Sequence, residues 1–199
     1  MRFFVFTNNP ICRWFRFPRN APLVIACLTI SVASHAFDQP SHTCMIMEVR
    51  AGLSAHDVDG LWGGHSKENG TNLNLELVLN RPLFRLLSAT AYPNLGASLN
   101  FQGNTSKIYA GFLLQWEPLP RFFFSTGLGV ALHDGERDTD MPDQKSLGTR
   151  VLFRIPIEVG LAASRHHRIL LVFDHVSNAY LSSPNEGMDS FGLMYGYRF

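Results

Sequence analysis

From residue 45 onward the chain alternates. In LNLELVLN, Leu73, Leu75, Leu77 and Leu79 fall on one side of an extended backbone, and Asn74, Glu76, Val78 and Asn80 fall on the other. A strand turns successive side chains to opposite faces, so this period of two predicts strands lying between two different environments. The same alternation runs through residues 45–55, 92–101, 107–117, 122–133 and 150–162. Two further segments, 168–178 and 188–199, bring the number of predicted strands to eight. One face of each is large and apolar, and the other is polar or glycine. A soluble sandwich also alternates, but it shows Lys and Glu to water. Here the polar face carries Asn, Ser, Gly, Glu and Arg, which suits the narrow interior of a small barrel. The pattern therefore predicts an all-β fold, an eight-stranded antiparallel transmembrane β-barrel. Each strand is long enough to cross a bilayer when tilted by about 45°.

The connections agree with this. Residues 56–71, 102–106, 134–146 and 179–187 are polar or glycine-rich and mostly long, and they alternate with 81–91, 117–121 and 163–167. Barrels of the bacterial outer membrane have long outer loops and short periplasmic turns. Residues 81–91 hold at most one or two helical turns. The chain ends FGLMYGYRF, with Phe191, Leu193, Tyr195, Tyr197 and Phe199 on one face. This resembles the C-terminal assembly signal of bacterial outer-membrane proteins. Inside the barrel, Glu48, Glu76, Glu158 and Asp174 are expected to pair with Arg50, Arg150, Arg154, Arg168 and Arg198. Pro156 lacks an N–H, so an irregular pairing or a bulge is expected beside it.

Composition adds a leader and a compartment. The first 36 residues hold Arg2, Arg13, Arg16 and Arg19 and no acid, then the apolar run APLVIACLTISVA, then small residues at Ser34 and Ala36. Basic, apolar and small-residue regions in that order predict a secretory signal peptide over residues 1–36, with the single barrel domain at 37–199. The apolar run is shorter than the roughly 20 residues a helical span needs. Of 17 basic and 16 acidic side chains, the leader takes four basic ones, leaving 13 against 16 and a net charge of −3. Nothing there favours nucleic acid. Cys12 and Cys27 fall in the leader, so Cys44 alone is too little for a disulfide framework.

The candidate chemistry lies near the end of the chain, in FDHVSNAYLSSPNEGMD, residues 173–189. By strand parity His175 and Ser177 share the apolar, outward side with Ile169, Leu171 and Phe173, while Arg168 and Asp174 point inward. Asp189 has the outward parity of the last strand. All three fall at the outer end of one hairpin, where polar side chains on a lipid face call for an explanation other than packing. A serine hydroxyl is a weak nucleophile until a neighbouring base takes its proton, and a carboxylate holds that base in the correct tautomer. An H-x-S pair alone is more often interfacial decoration than chemistry.

The segments HVSNA and PNEGMDS, together with the aromatic terminus, resemble the PagL family of outer-membrane lipid A 3-O-deacylases. The resemblance implies an eight-stranded barrel in which Ser177 is the nucleophile, His175 the general base and Asp189 the orienting acid. It also places Asn178 at the oxyanion-stabilising position, with backbone N–H groups from Asn178 to Tyr180 as the expected donors. Two departures stand out. The family commonly has Glu where this chain has Asp189, with Glu186 as the other acid within reach, and it often has Gly where this chain has Tyr180. The substrate implied is the lipid A of lipopolysaccharide in the outer leaflet, with no cofactor and no metal, and with pairing into a homodimer left open. Two other readings compete: an outer-membrane phospholipase-type hydrolase, and a non-enzymatic small barrel acting as an adhesin or structural protein. The acidic stretch at residues 134–143 lacks the calcium pattern that the phospholipase reading would favour.

Overall fold

The computed structural model describes residues 44–199, and the leader read over residues 1–36 lies outside the described residues. The strands follow one another as β1 (Ile46–Ala55), β2 (Thr71–Leu79), β3 (Arg85–Leu86), β4 (Ala89–Asn100), β5 (Lys107–Leu119), β6 (Phe122–His133), β7 (Val151–Ala162), β8 (His167–Ser177) and β9 (Met188–Arg198). Eight of them are long, and each pairs antiparallel with its neighbours; β1 also pairs with β9, and β2 with β4, so the eight close into a barrel. Closure gives every ladder a partner on both sides, which lipid demands because it offers no hydrogen bonds.

The alternation reads as predicted. Leu53, Leu75, Leu95, Leu99, Ile108, Leu128, Val130, Val159, Ile169, Leu171 and Leu193 are exposed on the outer wall. The opposite positions fill the inside. Phe123, Leu170, Val172 and Met194 pack together toward the short-turn end, and Tyr109, Leu152, Val176 and Met188 toward the long-loop end. Gly160 lets the Phe123 ring approach the wall closely, since a Cβ there would collide with the far edge of the ring.

The charged interior is built around Arg50, which is wholly buried. Its Nε donates to Glu48 at 2.8 Å, and its Nη1 donates to Glu76 at 2.8 Å and to Glu158 at 2.9 Å. Arg154 Nε lies 2.6 Å from Asp174, and Lys107 Nζ lies 2.8 Å from the other oxygen of that carboxylate. Arg168 Nη1 stands 3.4 Å from Glu48. The acids Glu48, Glu76, Glu158 and Asp174 are thus matched by four cations, one of which, Lys107, pattern alone did not assign. Arg150 departs from expectation: it lies in the loop before β7 and donates to the Gly135 carbonyl at 2.6 Å.

Two further points differ from expectation, at residues 81–91 and at Cys44, while the irregular pairing expected at Pro156 is present. Residues 81–91 are not helical. Arg85 pairs with Thr90 and Leu86 with Ala89, around a two-residue turn whose Leu87 and Ser88 both have positive φ, 46° and 68°. That is the geometry a tight hairpin needs to match strand twist, adopted here without Asn or Gly. At Pro156 the ladder to β6 lapses between Thr126/Ile157 and Gly129/Arg154 and resumes in the same register, so there is a gap and no bulge. Cys44 is disulfide-bonded, against the expectation that it would stand without a partner.

Candidate active site

β8 and β9 run side by side with His175 opposite Asp189. Register and parity therefore bring the two side chains to the same outward face, with Ser177 two residues further along β8. His175 Nδ1 donates to Asp189 Oδ1 at 2.6 Å, and Ser177 Oγ lies 3.0 Å from His175 Nε2. Because an ionised carboxylate only accepts, Nδ1 carries the proton and Nε2 is left as the acceptor for the serine hydroxyl. All three residues singled out from sequence are thus in one hydrogen-bonded line. Glu186, the other acid within reach, is turned elsewhere: it takes Lys67 Nζ at 2.6 Å and the Ser146 N–H at 2.8 Å.

The outward parity of this line does not leave it bare. Asp189 is wholly buried and His175 nearly so. The loop between β1 and β2 folds over them. Its Gly63 N–H donates to Asp189 Oδ2 at 2.6 Å, so each carboxylate oxygen has a partner. Trp62 stands edge-on to His175 with ring centroids 5.5 Å apart, and edge-on to Phe173 at 5.4 Å. These are contributions that sequence reasoning missed. A backbone N–H carries no sequence signature, and a Trp in a long loop does not announce which strand it covers.

That loop is itself held from below. Lys145, buried in the loop between β6 and β7, donates from Nζ to the carbonyls of Gly63 and Gly187, both at 3.0 Å, and lies 3.1 Å from Asp57. Asp57 Oδ2 in turn accepts the N–H groups of Lys67 and Glu68. Glu68 accepts from His56 at 2.8 Å, from Thr105 through both N–H and hydroxyl, and from the Lys145 N–H. Burial raises the Glu68 carboxyl, but this set of donors, His56 foremost, outweighs it and brings the group down to about 2. One lysine and two acids thereby tie four long loops together above the barrel.

After Ser177 the chain turns sharply. Ala179 and Tyr180 both take left-handed backbone, with φ of 53° and 60°, and the Leu181 N–H closes the turn on the Asn178 carbonyl at 3.1 Å. Tyr180 thus occupies the backbone region that glycine enters without strain. Its side chain is 87% exposed, so the bulk stays out of the site. Asn178 is spent on structure: its N–H goes to Asn185 Oδ1 at 2.9 Å, and its Nδ2 goes to the carbonyls of Leu147 and Pro184 at 3.1 and 2.8 Å. Gly148 permits that close approach, since a Cβ there would strike Asn178 Nδ2 and the Pro184 carbonyl. Among the described residues, nothing accepts a hydrogen bond from the N–H of Ala179 or Tyr180. No group of three or more His, Cys, Asp or Glu among the described residues is arranged to hold a metal ion.

Comparison with known proteins bears on the region that carries these side chains. Residues 83–198 match the family described as lipid A 3-O-deacylase (PagL). The lipid A deacylase PagL of Bordetella bronchiseptica is 29% identical over 113 residues, covering 54% of this chain and 61% of that protein. The protein of the same name from Pseudomonas aeruginosa is 34% identical over 73 residues, 37% of this chain and 40% of its own length. The chain therefore matches less than two thirds of the length of either relative. A crystal structure of the outer membrane enzyme PagL superposes with a TM-score of 0.56 over 76% of this chain and 99% of that one, at 22% identity, which is a likeness of fold. The family match spans more than half of the chain and takes in β8, β9 and the turn between them, so this barrel belongs to the lipid A 3-O-deacylase (PagL) family.

Proposed function

We propose that this chain is an outer-membrane serine esterase that removes the ester-linked acyl chain at position 3 of lipid A. The observation that carries the reading is the line Ser177–His175–Asp189, with spacings of 3.0 and 2.6 Å, on the outer wall beside the long loops. In this mechanism His175 Nε2 takes the Ser177 proton as Oγ attacks the ester carbonyl. Asp189 holds the imidazole in the tautomer that can accept, and stabilises it once charged. The tetrahedral oxygen is met by the N–H groups of Ala179 and Tyr180, which the left-handed turn leaves without an internal acceptor. Asn178 acts by positioning, through its bonds to Leu147, Pro184 and Asn185. The protonated His175 then gives its proton to the departing sugar oxygen, leaving the acyl group on Ser177. Water, activated by the same imidazole, releases it as a fatty acid. An outward site at the long-loop end suits a substrate whose acyl chains lie in the outer leaflet alongside the barrel.

The test is fatty-acid release from lipopolysaccharide by the purified protein and by Ser177→Ala and His175→Ala. Release that falls to background in both variants, with the lost acyl chain assigned to position 3 by mass spectrometry, is the expected result. Undiminished release by Ser177→Ala overturns the assignment. Release from glycerophospholipid in preference to lipopolysaccharide transfers the same chemistry to a phospholipase.

A further inference from the structure

We propose that the short-turn end of the barrel holds a second binding site, for a phosphate-bearing anion. It lies at the far end from Ser177 and does not depend on the hydrolase reading. A cavity of about 460 Å³ opens there between the turn joining β5 to β6 and the turn joining β7 to β8. Four arginines line it, Arg121, Arg165, Arg168 and Arg198, against one acidic residue, Glu117. That volume lies within the range of small-molecule sites, about 300–1,000 Å³.

The charges in this cavity are under-matched. A single oxygen of Glu117 serves Gln115 Nε2 at 2.7 Å, Arg168 Nη2 at 3.2 Å and Arg198 Nη1 at 3.5 Å. Among the described residues, Arg198 Nη2 has only the Met47 thioether, at 3.8 Å. Arg168 is the sharper case. Its side chain is 5% exposed, and although Nη1 stands 3.4 Å from Glu48, it makes no hydrogen bond. The guanidinium is held over the Phe123 ring, with Cζ 4.3 Å from the centroid, so it cannot swing out to water freely. Arg121 is fixed too: its φ is 81°, and its carbonyl accepts the Ala162 N–H at 2.6 Å, tying one turn to the other. A cavity ringed by four arginines with one lining carboxylate, Glu117, carries an excess of positive charge that an anion would balance. The planar forks of several arginines match the tetrahedral oxygens of phosphate.

The rim indicates where that phosphate comes from. Leu119 and Phe122, 60% and 52% exposed, stand on the outer edge of the same cavity. A phospholipid of the inner leaflet can lay its chains against them and turn its phosphate inward; free phosphate fills the site without using them.

The experiment uses the full chain in non-ionic detergent. Inorganic phosphate is titrated by calorimetry, and short-chain phosphatidylglycerol and its matched diacylglycerol are compared by native mass spectrometry. The paired variant Arg121→Gln with Arg165→Gln changes only exposed turn residues and leaves the pairs of Arg168 and Arg198 standing. Phosphate or phosphatidylglycerol should bind, and the paired variant should weaken it at least tenfold. Phosphatidylglycerol binding tighter than phosphate assigns the site to a lipid headgroup; equal binding assigns it to free phosphate. Binding unchanged in the paired variant, diacylglycerol retained as well as phosphatidylglycerol, or no binding of either phosphate compound overturns the proposal.

Discussion

Asp189 and Tyr180 are the two positions where the resemblance led to an expectation of Glu and Gly, and the structure shows how each residue present is accommodated. Asp189 lies directly across the ladder from His175, so the shorter acid reaches Nδ1 at 2.6 Å without the extra methylene. Asp189→Asn keeps the shape but offers an amide that can donate to Nδ1, which favours the wrong tautomer. A fall in kcat of about 10²–10⁴-fold is expected, with KM little changed, measured on the lipid substrate. At Tyr180 the backbone matters and the side chain does not. Tyr180→Gly should retain activity, whereas Tyr180→Pro, which forbids positive φ and removes the N–H, should lose about 10²–10³-fold if that N–H meets the oxyanion. Equal activity in the two variants would remove Tyr180 from the site. Parity on two strands was enough to place His175, Ser177 and Asp189 together from sequence, because a strand gives each side chain one of only two directions. The Gly63 N–H and Trp62 were not legible in the same way, since the path of a long loop follows from contacts distant in sequence.

Among the elements, the strands were legible and the connections only partly. Alternation located all eight long strands, because lipid outside and a polar interior impose opposite demands on neighbouring residues. The hairpin at β3 was missed because Leu87 and Ser88 are not the residues that announce a turn with positive φ. The loops interlock through Lys145, which bridges carbonyls of Gly63 and Gly187 on either side of the site. Lys145→Met leaves Asp57 buried beside a missing charge and should free the loop between β1 and β2. The expected signs are faster protease nicking within residues 56–70 and a lower kcat, while the barrel keeps its heat-dependent shift on gels. Acid should reach the same latch late. The Glu68 carboxyl sits near 2 when folded, below its ordinary 4.5, so its contribution is fully present above about pH 4.5 and is lost as pH falls toward 2. Trp62 fluorescence, followed downward in pH, should hold steady to well below 4; a change near pH 6 would show that another group governs the loop.

For the whole molecule, the interior charges set both stability and what the barrel can pass. Arg50 is the shared partner of Glu48, Glu76 and Glu158. Arg50→Met removes the one cation they have in common, and breaking such a buried set costs about 3–5 kcal/mol, with repulsion among the remaining acids added to it. Refolding yield and urea midpoint in micelles should both fall, more than for any single substitution on the outer wall. The same knot has an electrical consequence. Arg50 meets its carboxylates inside the barrel, Arg154 and Lys107 meet Asp174 nearer the long-loop end, Tyr109 packs against Arg154, and Leu113 and Phe123 are buried further toward the short turns. An ion that had passed the mouths would meet, deeper in, carboxylates already paired with cations and side chains packed between them. Reconstituted in a planar bilayer, the protein should carry no steady current at any voltage the membrane withstands: it spans the membrane as an insulator.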